Sequence, residues 1–470
     1  MHHQQLTSIA SSVSLFQRSP PCNHFRSGPV ILYDCLYPKI KSGWYERLRT
    51  FAGVFADFGG DLILLPPPFR TTYTGSDNMS LGYDPISDLD IGQWESLRGG
   101  TAEDLQSLAR EALRHGLRLM FDLPMHQYGG FPIVERNGKG KRDRKLAYKP
   151  SFLFRAAPDQ NFERAPADGL RVPYQHSKPA DYLRKMKIQC TAWLMHVTAG
   201  FGLRLDEAKD MDMNLTHRLA ASIPGFKVAE AYTGSNAQLD SYHRQSGLPV
   251  FDFGSHFAYR AVSQGAGLDA LVYTDRYCHM NPSAAVPFVD NHDTDGADGV
   301  VNFKGWFYLD ACTQAALACS IYAGDYELYG LAPLIDNYLW IGKRLAVGNQ
   351  AYHVISPDVL IWSRDGNGGE LGNAAGVLCG ISRDPFNTRW VWTDTPWRNC
   401  WIRNYARSGG PNVWVYPDGR ACIPLPPNSF SRADNGVAYS LLNQDGPLPK
   451  RELHIPLRNP LDFSGITVTL

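Results

Sequence analysis

Short apolar runs recur along the first two thirds of the chain, at 29–36, 61–65, 117–123, 202–206, 226–230, 250–253, 285–289 and 320–324. Between several of them the apolar positions return every three or four residues, at 44–58, 102–115, 180–198 and 213–222. The first spacing predicts buried strands and the second predicts amphipathic helices. Pro66-Pro67-Pro68 stops the second run, and Gly116 closes the helix before the third. Roughly eight βα units follow, which predicts an α/β fold: a (β/α)8 TIM barrel, with an open doubly wound sheet as the alternative. Residues 127–176 break the rhythm with polar, Gly and Pro positions. They are too long for a plain connection and predict an inserted subdomain after strand 3. Beyond about 345 the pattern becomes short β-rich runs at 359–362, 375–381, 390–392, 413–416 and 420–424, split by Gly, Pro, Asn and Asp. These predict a C-terminal antiparallel β domain. The division is an irregular N-terminal extension (1–28), the barrel (29–345, with 127–176 inserted) and a β-sandwich (346–470).

The chemistry sits where strand runs end. Arg204 and Asp206 are two apart in Gly202-Leu203-Arg204-Leu205-Asp206 and share one face of a strand. The guanidinium is expected to keep the carboxylate ionised and oriented, as a carboxylate nucleophile needs, although an ordinary salt bridge has the same spelling. Glu230 ends Val228-Ala229-Glu230, and Asp293 ends Phe288-Val289-Asp290-Asn291-His292-Asp293. In a barrel these ends form one rim, where active sites lie. Carboxylates converging there repel, so at least one pKa must rise. One acid can then attack while another donates a proton, the requirement of two-carboxylate glycoside cleavage.

Here the chain resembles the α-amylase family of glycoside hydrolases. Gly202–Lys209 looks like the family's strand-4 motif, which carries the nucleophile, and implies that role for Asp206, with Arg204 and Lys209 as substrate-binding residues beside it. Val228-Ala229-Glu230-Ala231-Tyr232 is similar to the strand-5 motif and implies an acid/base role for Glu230, with Ala229 replacing the usual Gly. The strand-7 motif implies transition-state stabilisation by Asp293 and substrate binding by His292. Gly82-Tyr83-Asp84-Pro85 looks like the loop after strand 2, whose Tyr stacks on the sugar. Asp122-Leu123-Pro124-Met125-His126-Gln127 departs from the family's Asp-x-x-x-Asn-His. His126 stands at the Asn that helps bind structural calcium, and Gln127 at the substrate-contacting His; a one-residue slip would make His126 the sugar-binding residue. Asp210 also stands where the family often has His or Asn. The usual calcium site is therefore altered, with Asp143, Asp159 and Asn161 as candidate oxygen ligands. The resemblance implies an α-glucan or maltooligosaccharide partner, a retaining hydrolase acting on α-1,4 bonds, and no cofactor for the chemistry. A transglycosidase of the same family, a catalytically silent sugar-binding homologue and an unrelated metal-dependent barrel are the other readings.

Composition narrows the field. Lys+Arg and Asp+Glu both number 46, so no global field favours nucleic acid or an anionic membrane, and no run reaches the length of a membrane span. The nine cysteines are scattered without a C-x-x-C, which leans towards a reducing compartment, and residues 1–28 lack the apolar core of a signal peptide. Six basic residues in 136–145 read as a solvated loop, with a polyanion site as the other reading. The tryptophans near 390–401 read as β-domain core, with a surface sugar platform as the other reading.

Overall fold

The computed structural model describes residues 29–33, 43–69, 83, 91, 100–124, 127–128, 151–152, 172–173, 180–211, 213–296, 298–367, 376–448 and 452–459. Each of the eight apolar runs contributes one strand: β1 (Val30–Tyr33), β2 (Leu62–Leu65), β3 (Arg118–Leu123), β4 (Gly202–Leu205), β5 (Phe226–Ala229), β6 (Val250–Asp252), β7 (Ala285–Pro287) and β8 (Cys319–Tyr322). They pair in parallel in the order β7-β6-β5-β4-β3-β2-β1-β8. A parallel bridge between Phe288 and Ser320 joins the two ends and closes the ring.

Strand alternation sorts the core into two layers. Ile31, Leu62, Leu64, Met120, Val228, Phe251, Val286 and Phe288 pack together inside the barrel. Val30, Leu32, Ile63, Leu65, Leu119, Leu203, Leu205, Val250 and Ala285 face the surrounding helices. The helices at 44–57, 102–114, 180–198 and 213–222 match the helical spacing: α1 (Trp44–Asp57), α2 (Ala102–Arg114), α3 (Ala180–Thr198) and α4 (Met213–Ser222). α2 starts on a capping box, in which Thr101 Oγ1 accepts from the Asp104 N–H and Asp104 accepts from the Thr101 N–H. α5 (Asn236–Ser246), α6 (Phe253–Ser263), α7 (Ala270–Tyr273), α8 (Tyr277–Met280), α9 (Lys304–Gln314) and α10 (Ala332–Arg344) are not among the helices expected from the spacing. Every residue of α9 is buried, so it has no polar face to set a period.

Short strands at 127–128, 151–152 and 172–173 form a three-stranded sheet inserted between β3 and α3. After α10 come β9 (Gln350–Ile355), β10 (Val359–Arg364), β11 (Val377–Ser382), β12 (Arg389–Asp394), β13 (Cys400–Asn404), β14 (Val413–Val415), β15 (Arg420–Leu425) and β16 (Val437–Leu441). Six make an antiparallel sheet ordered β9-β10-β11-β16-β13-β14, and β12 pairs with β15. Ile361, Leu378, Val415 and Val437 of the larger sheet share one core with Ile423 and Leu425 of the smaller. This layer is tied to α9. Arg364 donates to the Thr313 and Gln314 carbonyls at 3.0 and 3.2 Å, and Trp362 Nε1 donates to Thr313 Oγ1 at 3.0 Å.

The tryptophans near 390–401 correct the sequence expectation. Trp397 is core, but Trp390, Trp392 and Trp401 are exposed. Alternation decides this, because Val391 and Thr393 take the inward positions of β12 and leave both indoles outside.

Candidate active site

Strand register assembles the site. Asp122 of β3 lies opposite Arg204 of β4, and Leu205 lies opposite Ala229 of β5. Asp206 and Glu230 therefore emerge side by side, one step past the two strand ends. The rim is held by the Glu230 N–H donating to the Leu205 carbonyl at 3.0 Å and the Ala208 N–H donating to the Glu230 carbonyl at 3.0 Å.

The Arg204 guanidinium, 1% exposed, is the hub. Its Nη1 lies 2.5 Å from Asp122 Oδ2 and 2.9 Å from Asp206 Oδ1; its Nη2 lies 2.5 Å from Glu230 Oε1 and 3.9 Å from Asp293 Oδ2. All three acids predicted from strand ends thus meet around one cation. Asp122 is a fourth carboxylate, fully buried, and it also accepts from the hydroxyls of Tyr33 and Tyr83, both at 2.6 Å. Sequence reasoning missed this role for Asp122 and Tyr33. The available signal was one acid, Asp122, inside the apolar run of β3, since a buried charge requires a partner. Glu207 follows Asp206 with φ 42°, a left-handed conformation unusual for a non-glycine residue, and its N–H donates to Glu230 Oε2 at 3.1 Å.

The electrostatics correct the expectation that Arg204 simply keeps Asp206 ionised. Burial pushes Asp206 well above the usual carboxylate range; Arg204 opposes this, and Asp122 and Glu230 push it further up. Burial raises Glu230 as well, against Arg204 and with Asp293 adding to the rise. Asp293, half exposed, is raised by its partial burial and by Asp122 and Glu207, against Arg204. One cation shared among several carboxylates cannot neutralise each of them, so the acids titrate as a coupled set. Burial also opposes the charge on Arg204, but Asp122 and Glu230 outweigh it and leave the guanidinium firmly protonated.

His292 is neutral: burial, then Arg204, bring its pKa down to about 3. Its ring stacks on Tyr83 at 5.6 Å with 5° between planes. Its Nε2 lies 3.2 Å from the Tyr83 hydroxyl and 3.4 Å from Asp293 Oδ1. The Tyr83 proton already goes to Asp122, which assigns the imidazole hydrogen to Nε2. The loop carrying His292 and Asp293 is pinned from below. Asn291 Oδ1 accepts from the Asp293 and Thr294 N–H groups, both at 2.9 Å. Asp290 is anchored by the buried Lys304 ammonium at 2.6 Å, which also lies 2.5 Å from Asp325. Lys304→Met leaves two buried carboxylates without their cation. It is expected to cost about 3–5 kcal/mol of stability, read by urea unfolding at neutral pH.

Lys209 donates to the Tyr232 carbonyl at 3.2 Å, with its ammonium 5.9 Å from the Tyr232 ring centre. Asp84, His126, Asp143, Asp159 and Asn161, and the side chains of Gln127 and Asp210, lie outside the described residues. Among the described residues no group of three or more His, Cys, Asp or Glu side chains could hold a metal ion, and no helix is long and apolar enough to cross a membrane. A cleft of about 1010 Å³ between α1, α10 and the β domain shares no lining residue with the acid cluster.

No family model matches the chain. It is 26% identical over 417 residues to the glucan 1,4-α-maltohexaosidase of Bacillus sp. (strain 707), covering 73% of this chain and 80% of that protein. It is 20% identical over 443 residues to the α-amylase of Bacillus licheniformis, covering 78% and 86%. The chain is a member of the α-amylase family of glycoside hydrolases. Solved structures of other members share its fold. The γ-CGTase of alkalophilic Bacillus clarkii superposes with a TM-score of 0.65 at 16% identity, over 90% of this chain and 71% of that one. The α-amylase of Geobacillus thermoleovorans superposes at 0.63 and 14%, over 89% and 99%. Family membership and the barrel with its C-terminal β domain therefore agree with the sequence reading.

Proposed function

We propose that this α-amylase-family enzyme is a retaining hydrolase of α-1,4-linked glucans. The observation that carries the reading is the single Arg204 guanidinium bridging Asp206 and Glu230. That bridge supports the short carboxyl separation of retaining enzymes, ~5–5.5 Å, rather than the ~6.5–9.5 Å of inverting ones.

In this mechanism Asp206 attacks the anomeric carbon as the bond to the leaving oxygen breaks, and Glu230 gives that oxygen its proton. The resulting glycosyl ester on Asp206 is opened by water, whose proton Glu230 takes back. The proton held by the coupled acids belongs on Glu230 at the moment of attack, because positive charge developing at the anomeric carbon favours ionised Asp206. Asp293 and neutral His292 accept and donate to ring hydroxyls. Tyr83 has one face on His292 and offers the other to the sugar. The chemistry runs on side chains alone. Calcium, if the enzyme needs it, serves structure.

The test is incubation with starch, pullulan and defined maltooligosaccharides, with and without EDTA, reading products by chromatography. Shorter α-anomeric products from starch and maltooligosaccharides are expected. Products longer than the starting oligosaccharide would replace hydrolysis by transfer, and no turnover on any α-glucan would sink the reading. A pH profile is a second check. Glu230 must carry a proton to act as acid, and burial raises its pKa. Activity is therefore expected to persist above the ordinary Glu value of about 4.3 and to fall as pH rises through the raised one. A basic limb at that ordinary value would remove Glu230 from the acid role.

A further inference from the structure

The exposed tryptophans of the β domain are not scattered. On the outer face of the β12–β15 pair, Trp390 and Trp392 stand two apart, with Asp394 opposite Arg420 at the end of the row. The Arg420 guanidinium lies 5.6 Å from the Trp392 ring centre. Tyr416 meets Trp392 at 5.7 Å between centroids. Trp414 lies two residues before Tyr416 and on the same face, because Val413 and Val415 point into the core. Trp414 pairs across the strands with Trp401, at 5.4 Å between rings. Five aromatic side chains thus form one belt across both sheets, with the Asp394–Arg420 pair beside Trp392.

Four of the five are about half open to solvent: Trp390 60%, Trp392 51%, Trp401 50% and Tyr416 46%. An aromatic side chain buries roughly 150–250 Å² when covered, so the belt offers on the order of 400 Å² in total. That is well short of the ~800 Å² per partner of a stable protein interface. It lies within the ~300–600 Å² of the largest patch on an ordinary monomer, a size that is often functional. The belt suits a linear polymer with flat apolar faces and hydroxyl edges, and the Asp394–Arg420 pair supplies an acceptor and donors for such edges. We infer that this belt is a second, non-catalytic binding surface for an α-glucan chain, holding the polymer apart from the acid cluster. The choice of α-glucan rests on the reading of the active site given above.

The test compares the full-length chain with its Trp390→Ala/Trp392→Ala double variant, with Tyr416→Ala as a second and gentler change. Adsorption is read by co-sedimentation with granular starch, with cellulose as the control polymer. Turnover is read on soluble maltoheptaose, which is short enough to be processed without the belt. Loss of starch adsorption by about fivefold or more, with maltoheptaose turnover within about twofold and an unchanged melting temperature, is the expected result. Adsorption equal to that of the unmodified chain overturns the proposal. So does equal adsorption to cellulose and starch, or a loss of self-association on ultracentrifugation in place of a loss of adsorption. The Glu230→Gln chain is sedimented in parallel. Its adsorption is independent of turnover, so a failed active-site reading and a failed belt are told apart.

Discussion

Asp206→Asn is expected to lower kcat on maltooligosaccharides by on the order of 10⁴-fold or more while leaving the fold intact and more stable at neutral pH. Activity falls because an amide cannot form the glycosyl ester. Stability moves the other way for an electrostatic reason. Burial, Asp122 and Glu230 hold the Asp206 carboxyl well above its ordinary range. Between the unfolded value of about 3.9 and that raised value, the native state keeps a proton that the unfolded chain has lost. Stability therefore falls as pH rises through this window, and the cost persists at neutral pH. Asn removes the titration and can still accept from Arg204 through its carbonyl. Thermal melts across pH 4–8 should show a flatter profile and a higher Tm at pH 7 for the variant, alongside the kinetic loss. Turnover within about tenfold of the unmodified enzyme would take the nucleophile's role away from Asp206. Glu230→Gln is expected to show a similar loss, because the leaving oxygen then has no proton donor.

Arg204→Leu should do the most damage to the fold. The guanidinium is buried and touches Asp122, Asp206 and Glu230. Removing one partner of a buried ion pair costs about 3–5 kcal/mol, because the remaining charge is left uncompensated. Here several charges lose the same cation. Lower pH should shrink the penalty, since protonated carboxyls no longer repel. Urea unfolding at pH 7 and pH 5 checks this: the difference between variant and parent should be smaller at pH 5. A penalty independent of pH would mean that Arg204 acts through packing alone. Arg204→Lys should recover only part of the stability and little of the activity, because a point charge cannot fork between Asp122 and Asp206 on one side and Glu230 on the other.

Much of this was legible in one dimension, because burial leaves a local trace. Buried parallel strands read as apolar runs, so all eight barrel strands were visible, and so was the change of rhythm that marks the β domain. Asp206 and Glu230 were visible because each is a charge one step past such a run, whereas Asp293 lies on a loop six residues past β7. Not every helix was visible. α9 is buried on all sides, so no polar face betrays its period. The tryptophans of β12 were misread because an indole looks apolar in a sequence, while the face it takes depends on which neighbours turn inward.

By itself the sequence determined which residues could carry chemistry and that Asp206 and Glu230 would sit at strand ends: composition and alternation act over a few residues, and a few residues suffice to state them. The tertiary structure alone decided that Arg204 serves several acids at once, that Asp122 and Tyr33 complete the cluster, and that Asp206 is pushed up rather than held down. Those outcomes depend on the register between β3, β4 and β5 and on the exclusion of water from the rim. Both are properties of segments some 80 residues apart brought within 3 Å, and a Coulomb interaction between them exists only once the chain has closed.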